Sequence, residues 1–272
     1  VSEDVEHIGL EYSDEVSVKD VISIDYLPKN KSPINNLFLV APLFTPCSRN
    51  LKTSERYREV VIKDQFGYSI EIRGPRLNMS IDFPIWSHII KLVIENKTNR
   101  IVMSYMDFAK IMGYDRKNLG KKLQERIKES LIRLRSQVII GEDFLDDEED
   151  EIAGLLDNGT IKKKTKEVVL TVNKSIIELY KRDRFKLIDL EYYNGLDNEI
   201  TKALYLYYEN HKSIVYPIKI ENVIDRLNLV TKNSKEINRQ IKAGHENLVA
   251  NEYLSKYEYL KINKEKYVKV YK

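Results

Sequence analysis

An α+β fold made of two tandem winged helix-turn-helix domains is what the sequence predicts, chiefly because one pattern occurs in it twice. The first copy reads RIVMSYMDFAKIMGYDRKNLGKKLQERIKESLIRLRSQVII, from Arg100 to Ile140. The second reads SIVYPIKIENVIDRLNLVTKNSKEINRQIKAGHENLVANEYL, from Ser213 to Leu254, about 113 residues further on. Each copy holds a short β-type run, a short amphipathic helix, a polar turn, and a longer helix with one apolar stripe and one basic face. Each leads into a segment that alternates like a β-hairpin, the wing. A second observation is charge segregation. The net charge is only +3, but residues 1–20 carry seven acids and one lysine, and residues 142–157 carry nine acids and no base. The rest of the chain is therefore near +18, a basic body with two acidic appendages.

The elements follow in order. Residues 1–34 read as an acidic arm, poorly tied down. YREVVI (57–62) and YSIEI (68–72) are strand-like runs around a turn at 64–67, with no obvious partner in their own domain. Gly74-Pro75 breaks the second run. Ile81, Ile85, Ile89, Leu92 and Val93 keep helical spacing around Trp86, with Pro84 in the first turn. In the first motif Met106–Met112 is a short helix ended by Gly113, and Asp115 is placed to cap the next. Leu119, Leu123, Ile127, Leu131 and Leu134 form its buried stripe; Lys117, Lys121, Gln124, Lys128 and Arg135 form its polar face. The spacing resembles a leucine zipper only superficially, because heptads are not sustained. Gln137–Ile140 and Glu167–Val172 are expected to pair as wing strands, with the acidic segment and Lys162–Lys164 at an oversized tip. Ile176–Tyr180 is a short helix and Phe185–Leu190 a strand.

The segment 191–199, with its Asn194-Gly195 turn signal, is the expected domain boundary, and Asp197 can cap the next helix. The organisation expected is an arm over 1–34, one winged-helix domain over 35–190 and a second over 191–272. In the second motif Val223–Leu227 is the short helix, and Thr231 to Ser234 is a polar turn with a capping serine. Ile237, Ile241, Gly244 and Leu248 form the buried stripe of the long helix. A glycine there costs helix stability of about 1 kcal/mol relative to alanine and points to a close neighbouring helix. Residues 257–262 and 267–271 close as a hairpin.

Several function classes find no support. There is no phosphate loop of the G-x-x-x-x-G-K-[ST] type. His7, His88, His211 and His245 show no metal-ligand spacing, and the carboxylates at 142–151 lack the spacing and glycine of a calcium loop. No catalytic residue, metal or cofactor is expected. No apolar run reaches the ~18 residues of a membrane span, the acidic N-terminal stretch lacks a signal-peptide core, and the single cysteine, Cys47, suits a reducing cytoplasm. The 18 tyrosines, beside abundant Lys, Ile and Asn, read as an AT-rich coding bias.

A helix of this kind fits the major groove of duplex DNA, where Arg can grip guanine and Asn adenine through two hydrogen bonds. Asn238 and Arg239 are the leading base-reading candidates. Lys232, Ser234 and the wing lysines Lys264 and Lys266 suit phosphate contacts that set register. By the same argument Arg116, Lys117, Asn118 and Lys121 serve the first module.

The stretch IEIRGPRLNMSIDFPIWSHII (70–90) resembles a segment of iteron-binding plasmid replication initiators, in which two strands and a glycine lead into a helix with a buried aromatic ahead of the first winged helix. The tandem architecture over 35–272 is similar too; the acidic insertion is a departure. The resemblance implies binding to direct repeats at a replication origin, opening of adjacent AT-rich DNA, and helicase loading by host replication proteins. It implies monomers on the repeats and dimers, formed through the N-terminal module, that repress the chain's own promoter. It assigns the main reading role to Ser234, Lys235, Asn238, Arg239 and Lys242, and support to Lys117, Lys121 and Lys128. A repressor on an inverted repeat is the alternative reading of the same modules.

Overall fold

Each repeat of the sequence pattern folds as a helix, a short strand, two further helices and a hairpin. The computed structural model describes residues 27–47, 56–63, 69–115, 117, 119–146, 149–181, 185–210, 216–229 and 233–272. Ahead of the first repeat lie β1 (Lys31–Asn35), α1 (Asn36–Val40), β2 (Phe44–Thr45), β3 (Tyr57–Lys63), β4 (Ser69–Pro75) and β5 (Leu77–Asn78). The first repeat comprises α2 (Asp82–Asn96), β6 (Arg100–Ser104), α3 (Tyr105–Ile111) and α4 (Lys121–Arg135). An inserted hairpin follows, β7 (Val138–Asp146) and β8 (Glu149–Ala153), then the wing, β9 (Leu156–Lys162) and β10 (Glu167–Val172). Next come α5 (Lys174–Lys181), β11 (Phe185–Asp189) and α6 (Leu190–Gly195). The second repeat is α7 (Glu199–Asn210), β12 (Ile218–Lys219), α8 (Ile220–Leu227), α9 (Ser234–Ala250), β13 (Lys256–Ile262) and β14 (Glu265–Tyr271).

The duplication is visible in the sheets. The first module's sheet has the order β6-β10-β9 and the second's β12-β14-β13. In both, the strand before the helix-turn-helix pairs with the second wing strand, all antiparallel. Ser104 and Asp107 form a reciprocal cap that starts α3, and Gly113, at φ 77°, ends the turn after it. The stripe Leu123, Ile127, Leu131 and Leu134 is buried on α4, and Ile237, Ile241, Gly244 and Leu248 on α9. Gly244 sits where the sequence places a close neighbour: a Cβ there would lie 2.7 Å from Leu204 Cδ1 on α7.

Several expectations are corrected. Strand β7 does not pair with β10; it joins β3, β4 and β8 in a separate antiparallel sheet of order β3-β4-β7-β8. The first wing is β9–β10, and most of the acidic segment belongs to the β7–β8 hairpin instead of a wing tip. The runs at 57–72 thus have partners in their own module: β3 pairs with β4, and β4 with β7 of the insertion. Residues 1–26 lie outside the described residues, but 31–34 are no loose arm: β1 pairs with β11, and Ser32 and Ile34 are buried. Asp115 does not cap α4. That helix begins six residues later, after Gly120, so Lys117 and Leu119 precede it. Asn233, not Ser234, caps α9, accepting from the backbone N–H groups of Lys235 and Glu236. Asn198, not Asp197, accepts from Thr201 at the start of α7; Asp197 accepts from Asn247 at 2.7 Å. Asn194-Gly195 ends α6.

The two modules are joined by a polar seam. Helix α7 packs on α9 and α8 of its own module and also on α1, β2 and β11. That explains why it is buried on most sides, Tyr205 and Lys202 included, and not along one stripe. Glu199, the first residue of α7, accepts from the backbone N–H of Cys47 at 2.5 Å and of Ser80 at 3.2 Å. Tyr193 is fully buried and donates to the Met79 carbonyl at 2.6 Å. Arg226 of α8 reaches across to donate to the carbonyls of Leu39 (2.5 Å) and Phe38 (3.4 Å), while Arg58 of β3 donates to those of Pro42 and Leu43. Arg76 donates to the Asn228 carbonyl at 3.0 Å. Replacing Arg226 by Met keeps much of the bulk but leaves buried carbonyls unpaired. We expect Arg226→Met to cost about 2–4 kcal/mol in urea unfolding; a loss below about 0.5 kcal/mol would show that the seam does not depend on it.

Candidate nucleic-acid interface

In the second module the exposed side of α9 and the wing face one another. Asn233 starts α9, leaving Ser234, Lys235, Arg239 and Lys242 exposed and Asn238 half-buried. The β13–β14 hairpin turns at Asn263 and Lys264, both with positive φ, and so carries Lys264 at its tip. Lys219 fixes the wing to the start of α8, bonding Glu265 at 2.6 Å and Glu221 at 2.9 Å. Between α9 and the hairpin lies a groove of 390 Å³ lined by Asn238, Lys242, Tyr259, Lys261 and Lys266, with Ile220 and Ile241 among its apolar contacts. Asn238, Lys242 and Lys266, picked out separately in the sequence, therefore meet at one place. Lys261 stands directly opposite Lys266 in the hairpin register. A like-charge cross-strand pair is unfavourable by itself, and an anion between the two would remove the penalty.

Arg239 is exposed but engaged. Its Nε and Nη2 donate to the two carboxylate oxygens of Glu236 at 2.7 and 2.6 Å, and this holds the Glu236 carboxyl down at about 2. An exposed pair of this kind is weak in water, so a guanine or phosphate can compete for the guanidinium. Lys242 pairs with Glu246 at 3.6 Å. Lys235, Lys264 and Lys266 have no ion pair among the described residues.

The first module presents a thinner set. Lys121 opens α4 and is exposed; Lys128 is exposed and pairs with Glu125 at 3.2 Å. Lys117 sits in the preceding turn, 3.9 Å from Asp115, and does not share the α4 face. Arg133 points inward, bidentate to the buried Asp82 at 3.0 and 2.7 Å, and so locks α4 to the start of α2. The wing tip carries exposed Lys163, Lys164 and Lys166. Arg116, Asn118 and Lys232 lie outside the described residues.

Sequence reasoning missed Lys261 and Tyr259. Their strand alternates correctly, but only the register opposite β14 shows which residues face α9. His245 behaves as a satisfied core histidine: it is fully buried, with Nε2 2.5 Å from the Tyr208 hydroxyl and Nδ1 3.0 Å from that of Tyr259. Burial drops it from 6.5 to about 4, and burial does the same for His88. Both folded values are below the unfolded one. The stability they protect is complete above about pH 6.5 and is lost as pH falls towards 4, where only the unfolded chain takes the protons. The melting temperature should therefore fall between pH 7 and pH 4.5, and His245→Gln should flatten that fall relative to its own value at pH 7. An unchanged slope in the variant would exclude His245 as a source.

Residues 76–209 match the family model described as "Initiator Replication protein, WH1". Protein RepA of Escherichia coli is 32% identical over 183 residues, 66% of this chain and 63% of that protein. A second Escherichia coli protein, Replication protein RepA, is 29% identical over 211 residues, 76% of this chain and 73% of that protein. The chain thus spans roughly two thirds of the length of these curated relatives. Among solved structures, domains 2 and 3 of RctB superpose with a TM-score of 0.59 over 86% of this chain and 96% of that one, at 12% identity, a likeness of fold alone. The matched segment begins just after β4 and runs through the first winged helix into α7, and over that stretch, just under half of the chain, the protein is similar to the initiator replication proteins.

Proposed function

We propose that this chain is a plasmid replication initiator that binds direct repeats in duplex DNA through both winged-helix modules. The observation that carries the reading is the groove in which the exposed face of α9 meets the lysines of the wing. The division of labour follows from the two faces. The module over 191–272 offers an Asn and an Arg on a groove-sized helix and takes the sequence-reading role. The module over 35–190 offers Lys121, Lys128 and the wing-tip lysines and takes phosphate contacts. Opening of adjacent AT-rich DNA would draw on binding energy, since deforming a site costs a few kcal/mol that added contacts offset. Host replication proteins and the replicative helicase are the partners this role requires, and the cytoplasm is its place. Among the described residues no helix is long and apolar enough to cross a membrane.

Self-association fits the open edge of β3, which pairs only with β4 among the described strands and exposes Tyr57 and Val61. Dimers formed there would serve autorepression, and monomers would serve the repeats.

The test uses titrations against duplexes tiling the DNA that flanks the gene and against random duplex. Arg239→Ala should cost about 1–3 kcal/mol on the site bound best and little on random DNA. Lys261→Ala with Lys266→Ala should weaken both alike and reduce the slope of log affinity against log salt by about two. Equal losses for Arg239→Ala on both DNAs would make it a phosphate contact. A wild type that prefers no flanking sequence would overturn the initiator reading.

A further inference from the structure

We propose that Tyr259 donates its hydroxyl proton to a DNA phosphate in the groove between α9 and the wing, and that the buried His245 orients it to do so. The proposal rests on the DNA-binding reading and names a contact within it that carries no charge.

Tyr259 sits near the middle of β13 with its ring in the wall of the groove. It is 43% exposed, yet its oxygen lies 3.0 Å from Nδ1 of an imidazole with no exposed surface. That imidazole is held on every side. The Tyr257 ring stacks on it at 5.1 Å between centroids, and the Tyr208 hydroxyl meets Nε2 at 2.5 Å. Burial keeps it neutral at neutral pH, so one ring nitrogen carries a proton and the other accepts. The Tyr208 hydroxyl is fully buried and has no other hydrogen-bond partner among the described residues, so its proton goes to Nε2. That places the ring proton on Nδ1, facing the Tyr259 oxygen.

The direction of the chain then follows. Tyr208 donates to Nε2, and Nδ1–H donates to the Tyr259 oxygen. With that oxygen already accepting, the Tyr259 proton is available, and no second hydrogen bond is made by this hydroxyl to the described residues. The nearby carboxylate, Glu246, is taken by Lys242 at 3.6 Å and by Tyr257. A donor that itself accepts from a polarised N–H is strengthened. Around it stand Lys242, Lys261 and Lys266, the last two facing each other in register. Three cations and one neutral donor at the mouth of a groove suit a phosphodiester better than a base edge, which needs paired donor and acceptor groups.

The experiment compares wild type with Tyr259→Phe on the best-bound flanking duplex, at several salt concentrations. One hydrogen bond to a charged acceptor predicts a loss of roughly tenfold in affinity. The salt slope should stay as in wild type, because no counterion-releasing cation is lost. The second arm replaces phosphates of the duplex one at a time by uncharged methylphosphonate. At one position the wild type should lose more affinity than Tyr259→Phe does. This readout is internal to each protein and is insensitive to small changes in folding. Equal affinities for the two proteins, or identical methylphosphonate profiles, would overturn the proposal while leaving DNA binding intact. A wild type that binds no duplex would overturn the reading beneath it as well.

Discussion

Arg226 of α8 reaches across the seam to the buried carbonyls of Leu39 and Phe38 at the end of α1, Arg58 of β3 holds the Pro42 and Leu43 carbonyls just beyond that helix, and the placement of the second module on the first rests on the Arg226 contact. A five-residue helix leaves its last carbonyls without intrahelical partners. Buried in a seam, those carbonyls would each be costly. The arginines have the converse problem, a charge removed from water, and burial pulls Arg58 down to about 9 and Arg226 to about 10, both still protonated at neutral pH. Each group meets part of the need of the other, with Arg58 Nε and Arg226 Nη1 left without a partner among the described residues. Hydrogen bonds to carbonyls are directional, so the arrangement sets an orientation that apolar contact by itself would leave loose. Glu199 and Tyr193 extend the same logic along the seam, the first accepting from two backbone N–H groups and the second donating to a carbonyl.

Function follows from that constraint. A winged helix alone presents one helix to one stretch of groove. In the proposed role, two of them held by shared hydrogen bonds would meet the duplex together, and so would read the spacing of a site as well as its bases. Helix α7 serves both sides at once: it supplies the first helix of the second module and packs on α1, β2 and β11. Gly244 of α9 lets α7 approach closely, so α9 is braced against the element that crosses the seam.

The repeated helix-turn-helix was legible because its signals are local. Apolar positions three and four apart mark α4 and α9 whatever surrounds them, and alternation marks the hairpins. Strand partners were not legible in the same way. The apolar run Val138–Ile140 is equally compatible with pairing to β10 or to β4, and only the fold chooses β4. Capping was misread by one residue at Ser234 and Asp197, because Asn233 and Asn198 stand beside them and all four side chains can accept a backbone N–H. Nothing local in the sequence says that Arg58 and Arg226 of the seam are buried. The tyrosines were set aside as codon bias, yet Tyr193 and Tyr208 fill the interior and Tyr257 and Tyr259 enclose His245. Of the candidate site, Asn238, Lys242 and Lys266 were legible from helix phase and hairpin position; Lys261 needed the strand register.

The central claim is that the two modules act as one body on DNA. Hydroxyl-radical footprinting of the full chain on its best-bound duplex tests it most directly, because protection reports where the backbone is covered. Modules held as one body should give two protected tracts on one face of the duplex, about one helical turn apart, with the same separation at every bound repeat. A single tract, or two tracts whose separation varies from site to site, would contradict it.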